Sequence, residues 1–128
     1  MFKVVIDTNV IVSAALSELG KPAKIVNLAL DKVISPFYSQ QIMNEYIKVL
    51  ARPHFKISSE KRQYLIDGIE MVGSLYAPKV SNIPLPDKND RVFYDLATEV
   101  GAIIITGNTK HYPAEKFIMT PNEFLSLI

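Results

Sequence analysis

Lys3-Val4-Val5-Ile6-Asp7-Thr8-Asn9 stands almost at the start of the chain, and its reading decides the fold. Val4-Val5-Ile6 is a short β-branched run that stops at a carboxylate. A strand buried on both faces has this pattern. A second apolar run, Val10-Ile11-Val12, passes into Ser13-Ala14-Ala15-Leu16, whose alanines and leucine favour helix. Asp7 therefore falls where a strand ends and a helix begins. In open α/β sheets that carboxyl edge is where sites assemble.

Working outward, Gly20-Lys21-Pro22 breaks the chain, with Pro22 suited to a first helical turn. Ile25, Leu28 and Ala29 recur at helical spacing up to Lys32. Val33-Ile34-Ser35 reads as a strand ended by Pro36. Ser39 can cap a helix from Gln40 to about Ala51, with Ile42, Tyr46, Val49 and Leu50 as its apolar stripe. Glu45 borders that stripe. Ser58-Ser59 can cap a further helix, with Tyr64, Leu65, Ile69 and Val72 inside, running to near Ala77. Lys79-Val80-Ser81 is a weak strand signal, and Asn82 to Asp90 is a loop by composition. Asp90 can cap a helix from Arg91 to Val100, stopped by Gly101. Ala102 to Thr106 is the clearest buried strand. Phe117-Ile118-Met119 is the last, and Thr120-Pro121-Asn122-Glu123 is a capping box that opens a terminal helix. The order β-α-α-β-α-α-β-α-β-β-α predicts one domain over residues 1–128. Its architecture is three-layer α/β/α, with a mainly parallel central sheet of about five strands.

The totals narrow the chemistry. The chain has 128 residues, enough for one real core, with 48% hydrophobic and 21% charged residues. No apolar run reaches membrane-spanning length, and Asp7 interrupts the first too early for a signal peptide, so a cytoplasmic location is expected. The absence of cysteine excludes disulfides, thiolate metal sites and cysteine nucleophiles. With only His54 and His111, a metal site must rest on oxygen ligands, which suits Mg²⁺ or Mn²⁺. A net charge of +1 requires any basic surface to be local.

Parallel strands place Asp7, Asp87, Asp90, Thr106 and Asn108 on one rim. If the helix carrying Glu45 leans over that rim, Asp7, Glu45 and Asp90 converge. Three carboxylates do not all stay ionised in one cleft without a counter-charge. One or two divalent cations would supply it and support in-line attack on a phosphate, as in a phosphodiesterase or nuclease. Each residue also has a plainer reading. Asp7 and Asp90 are plausible helix caps, and Glu45 a solvated flank residue. Asp87 and Asp95 read as structural, with Asp95 facing partly outward. Thr8 and Asn9 can hold the Asp7 turn, and Thr106-Gly107-Asn108 can be a simple turn. Lys48, Arg52, His54, Lys56, Lys61 and Arg62 form a basic stretch that could be a solvated face or an RNA track. Lys110-His111 follows the rim directly and is the more specific candidate for RNA contact.

Taken together, Val5-Ile6-Asp7-Thr8-Asn9-Val10, Glu45 before Leu50-Ala51-Arg52-Pro53, Asp87-Lys88-Asn89-Asp90 before Phe93-Tyr94-Asp95-Leu96-Ala97, and Ile105-Thr106-Gly107-Asn108 resemble the PIN-domain family. The similarity covers essentially the whole chain and is greatest to small prokaryotic members regarded as toxins of toxin–antitoxin pairs. It implies a Mg²⁺- or Mn²⁺-dependent ribonuclease with Asp7, Glu45 and Asp90 as catalytic metal ligands. It also implies an RNA substrate, a homodimer or higher assembly, and a possible antitoxin partner. Many members carry Thr-Gly-Asp where this chain has Thr106-Gly107-Asn108. Asparagine still offers a carbonyl oxygen but no charge, so one firmly held ion is expected. The alternative is a PIN fold kept for binding RNA or protein with weak or no catalysis. A dehalogenase-like phosphatase would need a second aspartate at Asn9. A receiver domain would need an aspartate and a lysine that Val33-Ile34-Ser35 and Ile105-Thr106-Gly107 do not supply.

Overall fold

The computed structural model describes residues 1–85 and 90–128. Its centre is strand β1 (Lys3–Ile6), in which Val4 and Val5 are 0% exposed. The run is β-branched because both of its faces are covered. Helices α1 (Thr8–Leu16) and α2 (Lys21–Leu30) lead to β2 (Ser35–Tyr38), then α3 (Gln40–Leu50), α4 (Ser59–Val72) and β3 (Ser74–Leu75). Beyond the loop come α5 (Arg91–Val100), β4 (Ile103–Ile105), β5 (Ile118–Met119) and α6 (Pro121–Leu125). The sheet order is β3-β2-β1-β4-β5, parallel throughout. Register pairs Ile6 with Ile105, so the ends of β1 and β4 finish level. Helices pack against this sheet in a three-layer α/β/α arrangement. Among the described residues, no helix is long and apolar enough to cross a membrane.

Local signals explain most boundaries. Ser39 Oγ accepts from Ile42 N at 3.2 Å and Ser58 Oγ from Lys61 N at 3.1 Å, each satisfying an otherwise orphan amide of the first turn. Thr120 and Glu123 form a complete capping box. Gly101 ends α5 with φ of 70°, a left-handed conformation that carries no steric cost without a Cβ.

Four expectations are corrected. Strand β2 is not ended by Pro36 but contains it, paired with Val4. Ser35 turns its N–H toward β1, bonding Phe2 O at 2.8 Å, so Pro36 turns its nitrogen to the other side. There β3 begins only opposite Phe37, and the missing donor costs no ladder bond. Helix α4 stops at Val72, and β3 follows at once instead of at Lys79-Val80-Ser81. A Cβ on Gly73 would sit 2.9 Å from the Tyr38 ring, so glycine allows this close passage from helix to strand. Val80 is 82% exposed. Asp95 does not face outward: it is 4% exposed and accepts from Ser81 N at 3.0 Å and from the Ser81 hydroxyl. Arg91 adds bonds to Ser81 O at 2.7 Å and Ile83 O at 2.6 Å, pinning this loop to α5. Asp90 precedes α5 but makes no side-chain cap bond, since its backbone (φ −91°, ψ −1°) is not extended as a capping residue requires.

Candidate active site

Asp7 leaves β1 at the carboxyl rim and is 4% exposed. Its N–H is tied to Ile105 O at 2.9 Å, which fixes the residue against the end of β4. It makes no side-chain cap bond to α1. Two hydroxyls converge on its Oδ2 instead: Thr106 Oγ1 at 2.7 Å and Tyr112 OH at 3.2 Å. Burial raises the Asp7 carboxyl above its usual 3.8, and these bonds, the Thr8 backbone and the charge of His111 only partly offset it. A carboxylate in this setting lacks a counter-charge of sufficient strength among its direct partners.

Glu45 comes from α3, half-buried beside Ile42 and Tyr46, and its Oε2 accepts the Thr8 hydroxyl. Thr8 thus links the first turn of α1 to α3. Asn9 accepts the Gly107 N–H at 2.9 Å and closes the rim between α1 and the end of β4. Asp90, at the start of α5, has its Oδ2 3.1 Å from His111 Nδ1. Asn108 Oδ1 accepts from Lys110 N at 3.3 Å, which turns its Nδ2 to His111 Nε2 at 2.9 Å. The His111 ring thus stands between the Asn108 amide and the Asp90 carboxyl. Thr106, 0% exposed, holds the turn through Asn108 N at 3.1 Å.

Two tyrosines complete the site and were not legible as site residues. Tyr46, read only as part of an apolar stripe, sends its hydroxyl to Ile6 O, the last carbonyl of β1. Tyr112 lies in an irregular segment after a 3₁₀ turn (Thr109–His111), without a period to mark it as buried. Burial is the first cause that raises the Tyr112 phenol well above its usual value, followed by the charges of Asp7, Asp90 and Glu45. Tyr46 is raised by burial, Asp7 and Glu45. Both phenols stay protonated and serve as donors. Of the three acids anticipated from sequence, Asp7 is hydrogen-bonded to the Tyr112 hydroxyl, and the charges of Asp90 and Glu45 also bear on it.

Among the described residues, no three His, Asp or Glu side chains stand ready to hold a metal ion. Each acid is turned to a protein donor: Asp7 to Thr106 and Tyr112, Glu45 to Thr8, Asp90 to His111. The donor chemistry nonetheless fits a hard divalent cation, being all oxygen, acidic and partly desolvated. Asp87 lies outside the described residues. Lys48, Arg52 and Lys110 are exposed, and His111 is partly so. Glu45, Lys48 and Arg52 are spaced to follow one face of α3 and its C-terminal end. Lys61, from the same basic stretch, is paired with Glu18 at 2.9 Å.

Buried acids at the carboxyl rim of a parallel sheet give this α/β domain an acidic candidate site at the edge where such folds build their sites. The PIN-domain family model matches residues 3–110, and the chain belongs to that family. The uncharacterized protein MJ1680 of Methanocaldococcus jannaschii is 33% identical over 109 residues, covering 83% of this chain and 70% of that protein. PIN domains are generally nucleases and typically use divalent metal ions, so membership supports a nuclease role with a nucleic-acid substrate.

Proposed function

We propose that this chain is a Mg²⁺- or Mn²⁺-dependent endoribonuclease, a single domain over residues 1–128, in which Asp7, Glu45 and Asp90 hold the ion. The observation that carries this reading is the burial of Asp7 and Asp90 at the sheet rim, with Asp7 held by Thr106 and Tyr112 and Glu45 tied to the first turn of α1 through Thr8. A divalent ion bound there supplies charge stabilisation at the phosphate and lowers the pKa of water. The chain's own residues set that site up. Thr106 and Tyr112 orient Asp7, Thr8 orients Glu45, and His111 orients Asp90. Lys48 and Arg52, which follow Glu45 along the chain, and Lys110 and His111, which follow Asn108, are the residues that would contact RNA, since exposed positive charge favours phosphate. A cytoplasmic homodimer or higher assembly, acting as the toxin of a toxin–antitoxin pair, completes the proposal.

The test is cleavage of end-labelled single-stranded RNA with Mn²⁺, Mg²⁺ or EDTA, comparing native protein with Asp90→Asn. Cleavage that needs metal and vanishes in the variant supports the proposal. Inertness with both metals refutes it and leaves a nucleic-acid- or protein-binding PIN fold. Asn108 favours that second reading, because its amide nitrogen, not its carbonyl, faces the His111 and Asp90 side.

Asn108 also yields a graded prediction. An aspartate there adds a negative charge near the other acids, and at short range such a charge favours a cation by a few kcal/mol before desolvation. Asn108→Asp is expected to bind Mn²⁺ roughly tenfold more tightly, measured by titration followed by electron paramagnetic resonance. Weaker binding would mean that the lost Asn108–His111 contact outweighs the added charge.

A further inference from the structure

We infer that Tyr112, together with Thr106, is a positioning clamp on Asp7, fixing which oxygen of that carboxylate is offered to the divalent ion. This rests on the metal-dependent reading above. Thr106 Oγ1 and Tyr112 OH approach the same atom, Asp7 Oδ2, at 2.7 and 3.2 Å. They come from different segments, one from the end of β4 and one beyond the following 3₁₀ turn. Two donors on one oxygen fix the rotation of the carboxylate and occupy that oxygen's lone pairs. The ion's share then falls to the other oxygen. Tyr112 and Asp7 are each 4% exposed, so water does not replace either bond readily.

The two members of the clamp differ in what else they hold. Thr106 Oγ1 also accepts from Asn108 N, so its removal loosens the turn as well. The described hydrogen bond of the Tyr112 hydroxyl goes to Asp7 alone. Tyr112→Phe is therefore the clean deletion. Partners that orient a metal ligand typically matter ten- to a hundredfold in metal affinity. The inference extends the site to a residue that touches neither substrate nor ion.

The experiment is Mn²⁺ titration by electron paramagnetic resonance on native protein, Tyr112→Phe and Tyr94→Phe, with thermal midpoints recorded without metal. Tyr94 is the matched control, a buried phenol whose hydroxyl bonds Glu115 at 2.8 Å instead of Asp7. Tyr112→Phe is expected to bind Mn²⁺ roughly tenfold more weakly, and to lower kcat for RNA while leaving KM nearly unchanged. Tyr94→Phe is expected to leave Mn²⁺ affinity unchanged. If Tyr112→Phe alters only the midpoint, Tyr112 is structural and the inference is overturned. Should that variant fail to fold, Thr106→Val is compared with Thr106→Ser, which restores the hydroxyl, and equal affinities overturn the clamp. If native protein binds no Mn²⁺, the metal-dependent reading itself fails and the clamp falls with it, an outcome distinct from a native protein that binds and variants that bind equally.

Discussion

Asp7→Asn is expected to lower metal-dependent cleavage by roughly a thousandfold or more while making the metal-free protein more stable at neutral pH. The loss of rate follows from removing the most buried acid of the proposed ion site. The gain in stability follows from the cause of its pKa shift. Burial lifts the folded Asp7 carboxyl above the 3.8 it has when exposed. A group raised on folding contributes its stability fully below its unfolded pKa and loses it as pH rises through the folded value. Above that value the native chain carries a desolvated carboxylate that asparagine does not. Melting both proteins without metal across this range isolates the effect, because the other titrating groups cancel in the comparison. The variant's advantage opens as pH climbs from 3.8 through the folded pKa and then levels off. A variant less stable than native at neutral pH would show that the hydrogen bonds from Thr106 and Tyr112 outweigh the cost of burial. Mn²⁺ at about a hundred times its dissociation constant should add about 2.7 kcal/mol to the native protein alone, reversing the order. Function and stability pull against each other at this residue.

Phe93→Ala is expected to cost about 3–5 kcal/mol, a large part of the 5–15 kcal/mol typical of a domain. Phe93 is 0% exposed and sits on α5, which packs against β1 and β4. That helix also starts at Asp90 and carries Asp95 and Arg91, which hold the 76–85 loop. The cavity should therefore be felt twice. The thermal midpoint should drop by roughly 10–20 °C, and cleavage per folded molecule should fall because the seat of Asp90 loosens. Calorimetry and an activity assay well below the midpoint check the two effects. A midpoint within two or three degrees of native would show that α5 is not anchored through this ring.

The parts of the fold legible in the sequence were those written in local chemistry. Val4-Val5-Ile6 and Ile103-Ile104-Ile105 are β-branched runs in the middle of a parallel sheet, and Ser39, Ser58, Thr120 and Gly101 mark helix ends by hydrogen bonding or backbone freedom. Errors arose where tertiary contacts decide. Pro36 is tolerated in β2 only because β3 starts late, which no local rule foretells. Asp95 is buried because Ser81, fourteen positions earlier, folds over it. Asp7 and Asp90 were singled out by their places at a strand end and a helix start, and Glu45 by its border on the apolar stripe of α3. Tyr112 was not, because its partner Asp7 is 105 positions away and its neighbours show no period. The one available signal was a phenol directly after Lys110-His111 at the rim, where burying the ring demands a partner for the hydroxyl. His111 was read for RNA contact, and the structure adds contacts to Asp90 and Asn108 that its sequence position did not suggest.

Equilibrium binding of Mn²⁺ to the native protein and to Asp7→Asn, Glu45→Gln and Asp90→Asn, followed by electron paramagnetic resonance, is the measurement to make. One tightly bound ion per chain, weakened in all three variants, is the predicted result. No binding in the native protein, or binding that all three variants retain, would contradict the assignment of these acids as a metal site.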